Sequence, residues 1–114
     1  MFIKLNNIMK ELIVNGVIFR RGTDAKDNTQ LIKDSCPGWT WFHLTKFASC
    51  HLVVCQDEID ESIIASAAAL VKEHSKYKFK HIGVSYCKIK NLTHGEKPGS
   101  VHYVSKGQVK NINI

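Results

Sequence analysis

The sequence predicts a single α/β domain of the α+β type: a mostly antiparallel sheet with one long and one short helix packed on one face. Three observations carry this. Asn15-Gly16 sits between two β-branched runs, residues 58–75 hold apolar side chains at helical spacing, and the last third breaks into short apolar runs separated by glycine and proline.

Residues 1–10 read as a leader or a first strand. Leu12-Ile13-Val14 and Val17-Ile18-Phe19 then flank Asn15-Gly16, and both central residues of a type I′ hairpin turn need the positive φ that Asn and Gly tolerate best. Arg20 and Arg21 close the second strand and Gly22 breaks it. Thr23 or Asp24 can cap a short helix running to about Lys33. After the Pro37-Gly38 turn, Trp39 to His43 alternates, so Trp39, Trp41 and His43 share one strand face, with Thr40 and Phe42 on the other. A strand from His51 to Cys55 follows the loop around Lys46.

Ile59, Ile63, Ile64, Ala67, Leu70, Val71 and His74 then mark the buried face of a helix over about residues 58–75. Asp57, Glu58, Asp60 and Glu61 crowd its start, and Lys72 and Lys76 its end, both signs matching the helix dipole. Strands are expected from Ile82 to Ile89, Val101 to Val104 and Val109 to Ile114. A polar loop through Gly95 and Pro98-Gly99 and a tight turn at Lys106-Gly107 separate them.

The 114 residues suffice for one domain spanning 1–114, with roughly two thirds of the unfolded surface buried on folding. Hydrophobic residues at 44% and charged residues at 23% are globular values and argue against disorder. No apolar run approaches the ~18 residues of a membrane span, and Lys4, Asn6, Asn7, Lys10 and Glu11 interrupt any signal-peptide pattern. Cys36, Cys50, Cys55 and Cys87 form no CxxC pair, which points to reduced thiols and a cytoplasmic setting.

Charge is unevenly placed. Residues 1–71 carry seven basic against eight acidic side chains, whereas residues 72–114 carry nine lysines against Glu73 and Glu96. A field concentrated in one segment attracts a polyanion more strongly than the same charge spread evenly. These lysines are expected to gather into one continuous patch.

Several motifs, taken in order, are specific. Gly22-Thr23-Asp24-Ala25-Lys26-Asp27-Asn28-Thr29-Gln30-Leu31 resembles the Gly-x-x-Ala-x-x-Asn-x-x-Leu stretch of the NFACT-R domain family. Trp41-Phe42-His43 and then Cys50-His51-Leu52-Val53 are similar to that family's Trp-Phe-His and Ser-His-Val motifs at the same separation. Ala67-Ala68 with Ser75-Lys76, Val84 to Lys88, and Lys97-Pro98-Gly99-Ser100-Val101 complete the resemblance, which covers residues 12–113. The sequence departs at Ser49-Cys50, where the family has Gly-Ser.

The resemblance implies an RNA-binding α/β domain whose partner is structured RNA such as tRNA or rRNA, in a setting of translation, the ribosome and ribosome-associated quality control. The chain is expected to carry only this R-type unit, and DNA binding stays open. A protein-interaction module on the ribosome or a translation factor is the alternative, and an RNA-processing or RNA-modifying enzyme the third.

The candidate RNA contacts are Arg20, Arg21, Lys26, Trp41, His43, His51, Lys76, Lys78, Lys80, Lys88 and Lys97. Lys76-Tyr77-Lys78-Phe79-Lys80 interleaves cations with rings. Ammonium groups take phosphates and exposed rings stack on bases, although Phe79 is expected to fill the core. Arg20, Arg21 and Lys26 flank a helix start suited to an anion, with Asp24 and Asp27 as local partners in the bland reading. Trp41, His43 and His51 form either an open stacking platform or a covered, hydrogen-bonded core, and the covered reading is preferred. Asn28 is expected to bridge to the Gly22 turn. The histidines could alternatively act as an acid–base pair on an RNA 2′-hydroxyl. No metal site is expected from Cys50, His51 and Cys55, whose spacing fits no common zinc pattern, and no cofactor.

Overall fold

The chain enters the sheet at β1 (Ile3–Leu5) and β2 (Met9–Val14), which pair antiparallel. The computed structural model describes residues 3–5 and 9–114. Of the leader or first strand expected over residues 1–10, residues 1, 2 and 6–8 therefore lie outside the described residues. Asn15 and Gly16 carry φ of 49° and 80°, as a I′ turn requires. The chain then returns along β2 as β3 (Val17–Gly22), with Val14 opposite Val17.

The short helix α1 (Ala25–Lys33) begins where Asp24 accepts a hydrogen bond from the Asp27 backbone N–H at 2.8 Å. Asp27 reciprocates by accepting from both the backbone N–H and the hydroxyl of Thr23. β4 (Thr40–Leu44) and β5 (Leu52–Val54) follow. The long helix α2 (Glu61–Glu73) starts three residues later than its apolar spacing suggests. Asp60 accepts from Ile63 N–H at 2.9 Å, and a residue capping in this way adopts extended backbone, so the helix cannot include it.

The remaining strands are β6 (Gly83–Lys88), β7 (Leu92–His94), β8 (Val101–Tyr103) and β9 (Lys110–Asn113). Seven strands form one antiparallel sheet in the order β1-β2-β3-β5-β4-β6-β9, while β7 and β8 pair separately. The polar loop expected around residues 92–94 is thus partly a strand, because Leu92 and His94 find partners in Tyr103 and Val101.

Strand alternation sorts the core into two layers. Phe19, Phe42, Leu44, Leu52, Val54 and Val84 face α2, where Ile63, Ala67, Ala68 and Val71 meet them. Trp41, Val53 and Cys87 point the other way, toward Leu31 and Ile32 of α1 and toward Leu92, Val101 and Tyr103 of the β7–β8 ribbon. The two helices consequently cover opposite faces, not one. The reason is visible along β4, where Trp41 and Phe42 are both fully buried neighbours; a strand with both faces buried needs a cover on each side. Each such side chain contributes about 1.5–3 kcal/mol of burial.

Candidate nucleic-acid interface

The exit from α2 is organised by Ser75. Its hydroxyl donates to the Lys72 carbonyl at 2.7 Å and accepts from the Tyr77 N–H at 3.2 Å, turning the chain sharply. Lys72 then donates to the carbonyls of Lys80 and Ile114, both at 3.1 Å. These bonds fix the path of residues 76–80.

Along that path Lys76, Lys78 and Lys80 are all exposed, and none forms an ion pair among the described residues. Lys78 donates to the Glu73 carbonyl at 3.0 Å, and the Lys76 ammonium lies 5.7 Å from the Tyr77 ring centroid. Tyr77 and Phe79 stand nearly parallel, with centroids 6.2 Å apart, and Phe47 from the β4–β5 loop stacks on Tyr77 at 4.3 Å. Phe79 is 53% exposed, so its expected place in the core is corrected. Ile82 fills that position instead, and Phe79 rests only against the outer edge of the aromatic stack.

The two arginines separate. Arg20 lies opposite Val53 and Arg21 opposite Leu52, so they project to different faces of the sheet. Arg20 donates to Glu11 at 3.1 Å and sits 5.7 Å over the Trp39 ring. Arg21 lies on the α2 side, where its charge acts on Cys50 and His74. Lys26 belongs elsewhere again: with Lys33, His94 and Lys97 it lines a cleft between α1 and the β7–β8 ribbon, stitched by the Gly99 N–H donating to Thr29 at 2.7 Å.

Lys88 is committed to structure. Its ammonium donates to the carbonyls of Gly38, at 2.8 Å, and Asp57. The candidate contact lysines of the last third therefore fall into an α2-exit group, the Lys97 cleft and a tied Lys88, so they do not gather into one continuous patch.

Trp41 is no platform. It is 1% exposed, with Tyr103 edge-on at 6.0 Å, because α1 and the β7–β8 ribbon cover this face. Its indole N–H donates to His51 Nδ1 at 3.1 Å. Burial, reinforced by the nearby His43, pushes His51 down to about 3, so the ring stays neutral. His43 stacks on Trp41 at 5.6 Å, donates from Nδ1 to the Leu44 carbonyl, and is lowered by burial despite that bond. Asn28 holds the same region from below. Its Oδ1 accepts from the His51 N–H at 3.2 Å, against the Cβ-free surface of Gly22.

Among the described residues no cluster of three His, Cys, Asp or Glu is placed to hold a metal. All four cysteines are free, and burial pushes the Cys50 and Cys55 thiols up to about 11 and raises Cys87. No helix among the described residues is long and apolar enough to cross a membrane. Sequence reasoning missed Phe47 and Lys46 beside the aromatic stack, and Lys33 and His94 in the α1 cleft. No local pattern marks them; they meet their partners only through the tertiary fold.

The family model described as the NFACT protein RNA binding domain matches residues 8–112. The chain belongs to this family. As a member of the NFACT-R family it shares a fold with the C-terminal part of the fibronectin/fibrinogen-binding protein from Streptococcus suis. That solved structure superposes with a TM-score of 0.81 at 24% identity, over 91% of this chain. The chain spans 43% of that structure. No curated protein matches. In this NFACT-R domain the Ser-Lys motif has a physical role, since Ser75 is the residue that turns the chain into the lysine-rich segment.

Proposed function

We propose that this NFACT-R domain is a non-catalytic, cytoplasmic module that binds structured RNA, tRNA or rRNA, in the context of translation and ribosome-associated quality control. The observation that carries the reading is the α2 exit. Three lysines without carboxylate partners among the described residues alternate there with the half-buried Tyr77 and the exposed Phe79. Ammonium groups on a fixed segment track phosphates, and phosphate contacts position a ligand without reading its sequence.

The histidine pair argues against catalysis. A general acid must carry a proton near neutral pH, whereas His51 is held near 3 and spends its Nδ1 lone pair on Trp41.

Binding to a tRNA-sized RNA should weaken steeply with salt, by roughly one power of salt concentration per phosphate contact. A flat titration would contradict the proposal. Capture of a partner from cell extract that survives RNase treatment would instead favour a protein-interaction module.

A further inference from the structure

Beside the lysine segment, the β4–β5 loop, the α2–β6 connection and β9 enclose a cleft of about 400 Å³, within the ~300–1,000 Å³ of small-ligand sites. Its walls differ in chemistry. Phe47 and Phe79 supply one side, with ring centroids 5.8 Å apart and tilted by 32°. Thr45, Asn111 and Asn113 supply polar groups, and Lys46 and His81 also line it.

The polar wall is oriented. Asn111 Oδ1 accepts from the Ser85 hydroxyl at 2.7 Å, and Ser85 in turn accepts from the Thr45 hydroxyl at 2.8 Å. With Oδ1 engaged in this network, the Nδ2 amide of Asn111, a residue lining the cleft, makes no hydrogen bond among the described residues and is left to donate. An exposed ring, a free amide donor and the flanking Lys46 ammonium match the three parts of one nucleotide: base face, base edge and phosphate.

We infer that this cleft is a subsite for an unpaired nucleobase, stacked on Phe79 and hydrogen-bonded by Asn111, so that the ligand is RNA in which a helix adjoins a bulged or looped-out base. The inference rests on the RNA-binding reading above and narrows it. A fully paired duplex would meet the lysines but leave the ring uncovered. An acidic peptide would use the cations without needing a flat face.

The test compares a blunt RNA duplex with the same duplex carrying one bulged 2-aminopurine. Wild type should bind the bulged RNA about tenfold more tightly, the scale of a single base–aromatic stack, and quench the 2-aminopurine fluorescence. Phe79→Ala should remove that preference and the quenching while leaving duplex affinity and its salt slope intact, and Phe79→Tyr should restore both. Asn111→Asp keeps an acceptor for Ser85 but loses the donor, and should lower the preference without changing the fold as read by circular dichroism. Equal wild-type affinity for the two RNAs, or Phe79→Ala binding the bulged RNA as wild type does, overturns the subsite alone. Failure of wild type to bind either RNA at low salt overturns the RNA-binding reading with it.

Discussion

Trp41 donates its indole N–H to Nδ1 of His51 across two adjacent strands, at 3.1 Å. The bond selects the His51 tautomer with its proton on Nε2, and it joins a 1%-exposed side chain to a 3%-exposed one. A protonated His51 would place two donors face to face in the core.

Acid should therefore weaken the fold. His51 is depressed from 6.5 to about 3 by burial and by His43, so between those values the unfolded chain binds a proton that the folded protein refuses. Stability rises with pH through that window and levels off above 6.5. From pH 7 to pH 5 the loss due to this residue is at most about 2 kcal/mol. Urea unfolding at the two pH values measures it. His51→Asn, which keeps an acceptor near the Nδ1 position, should show a flatter profile; an unchanged slope would refute the assignment.

Removing the donor tests the same bond from the other side. Trp41→Phe leaves His51 Nδ1 buried and unsatisfied, which costs about 1–3 kcal/mol on top of lost packing. RNA affinity of the folded fraction should stay at the wild-type level, since no part of Trp41 is available to a ligand.

The lysines should divide by the work they do. Lys76→Ala with Lys80→Ala should lower the salt slope of RNA binding by about two, one per phosphate contact, with little change in stability. Lys88→Met should do the reverse. It strands the carbonyls of Gly38 and Asp57 and should cost about 1–3 kcal/mol while the slope holds.

Gly22→Ala should be poorly tolerated. A methyl group there meets the Asn28 side chain, whose Oδ1 holds the backbone of His51. A loss of about 1–3 kcal/mol is expected from the overpacking and displaced hydrogen bond, read as a lowered urea midpoint. Asn28→Ala together with Gly22→Ala should recover only a small part of it, because the clash with the amide is gone while the tight approach to the Asn28 Cα, at 3.0 Å, and the lost hydrogen bond to His51 remain.

Local signals were legible wherever one stretch of chain decides the outcome. Asn15-Gly16 specified its turn through backbone stereochemistry, and the apolar spacing after residue 58 specified α2 and its buried face. Thr23 or Asp24 marked the start of α1, whereas the acidic run Asp57, Glu58, Asp60 and Glu61 did not single out Asp60, the cap that shortens a helix that periodicity alone would extend. What stayed hidden depends on which strand lies beside which. The pairing of β3 with β5 decides that Arg20 and Arg21 diverge, and no feature of two adjacent arginines reveals it. Phe79 reads as a ring that plugs into the core at a helix exit, but Phe47 and Tyr77 already occupy the inner positions of the stack. The aromatic cleft could not be read at all, since Phe47, Phe79 and Asn111 come from three distant segments.

The uneven setting of the four thiols makes the protein unusually easy to instrument. Three are partly or fully buried, which raises their thiols and hinders access to them, while Cys36 stands open to solvent in the turn after α1. A maleimide dye added near pH 7 should couple at that one position first, giving a native-sequence fluorescent reporter with no engineered cysteine.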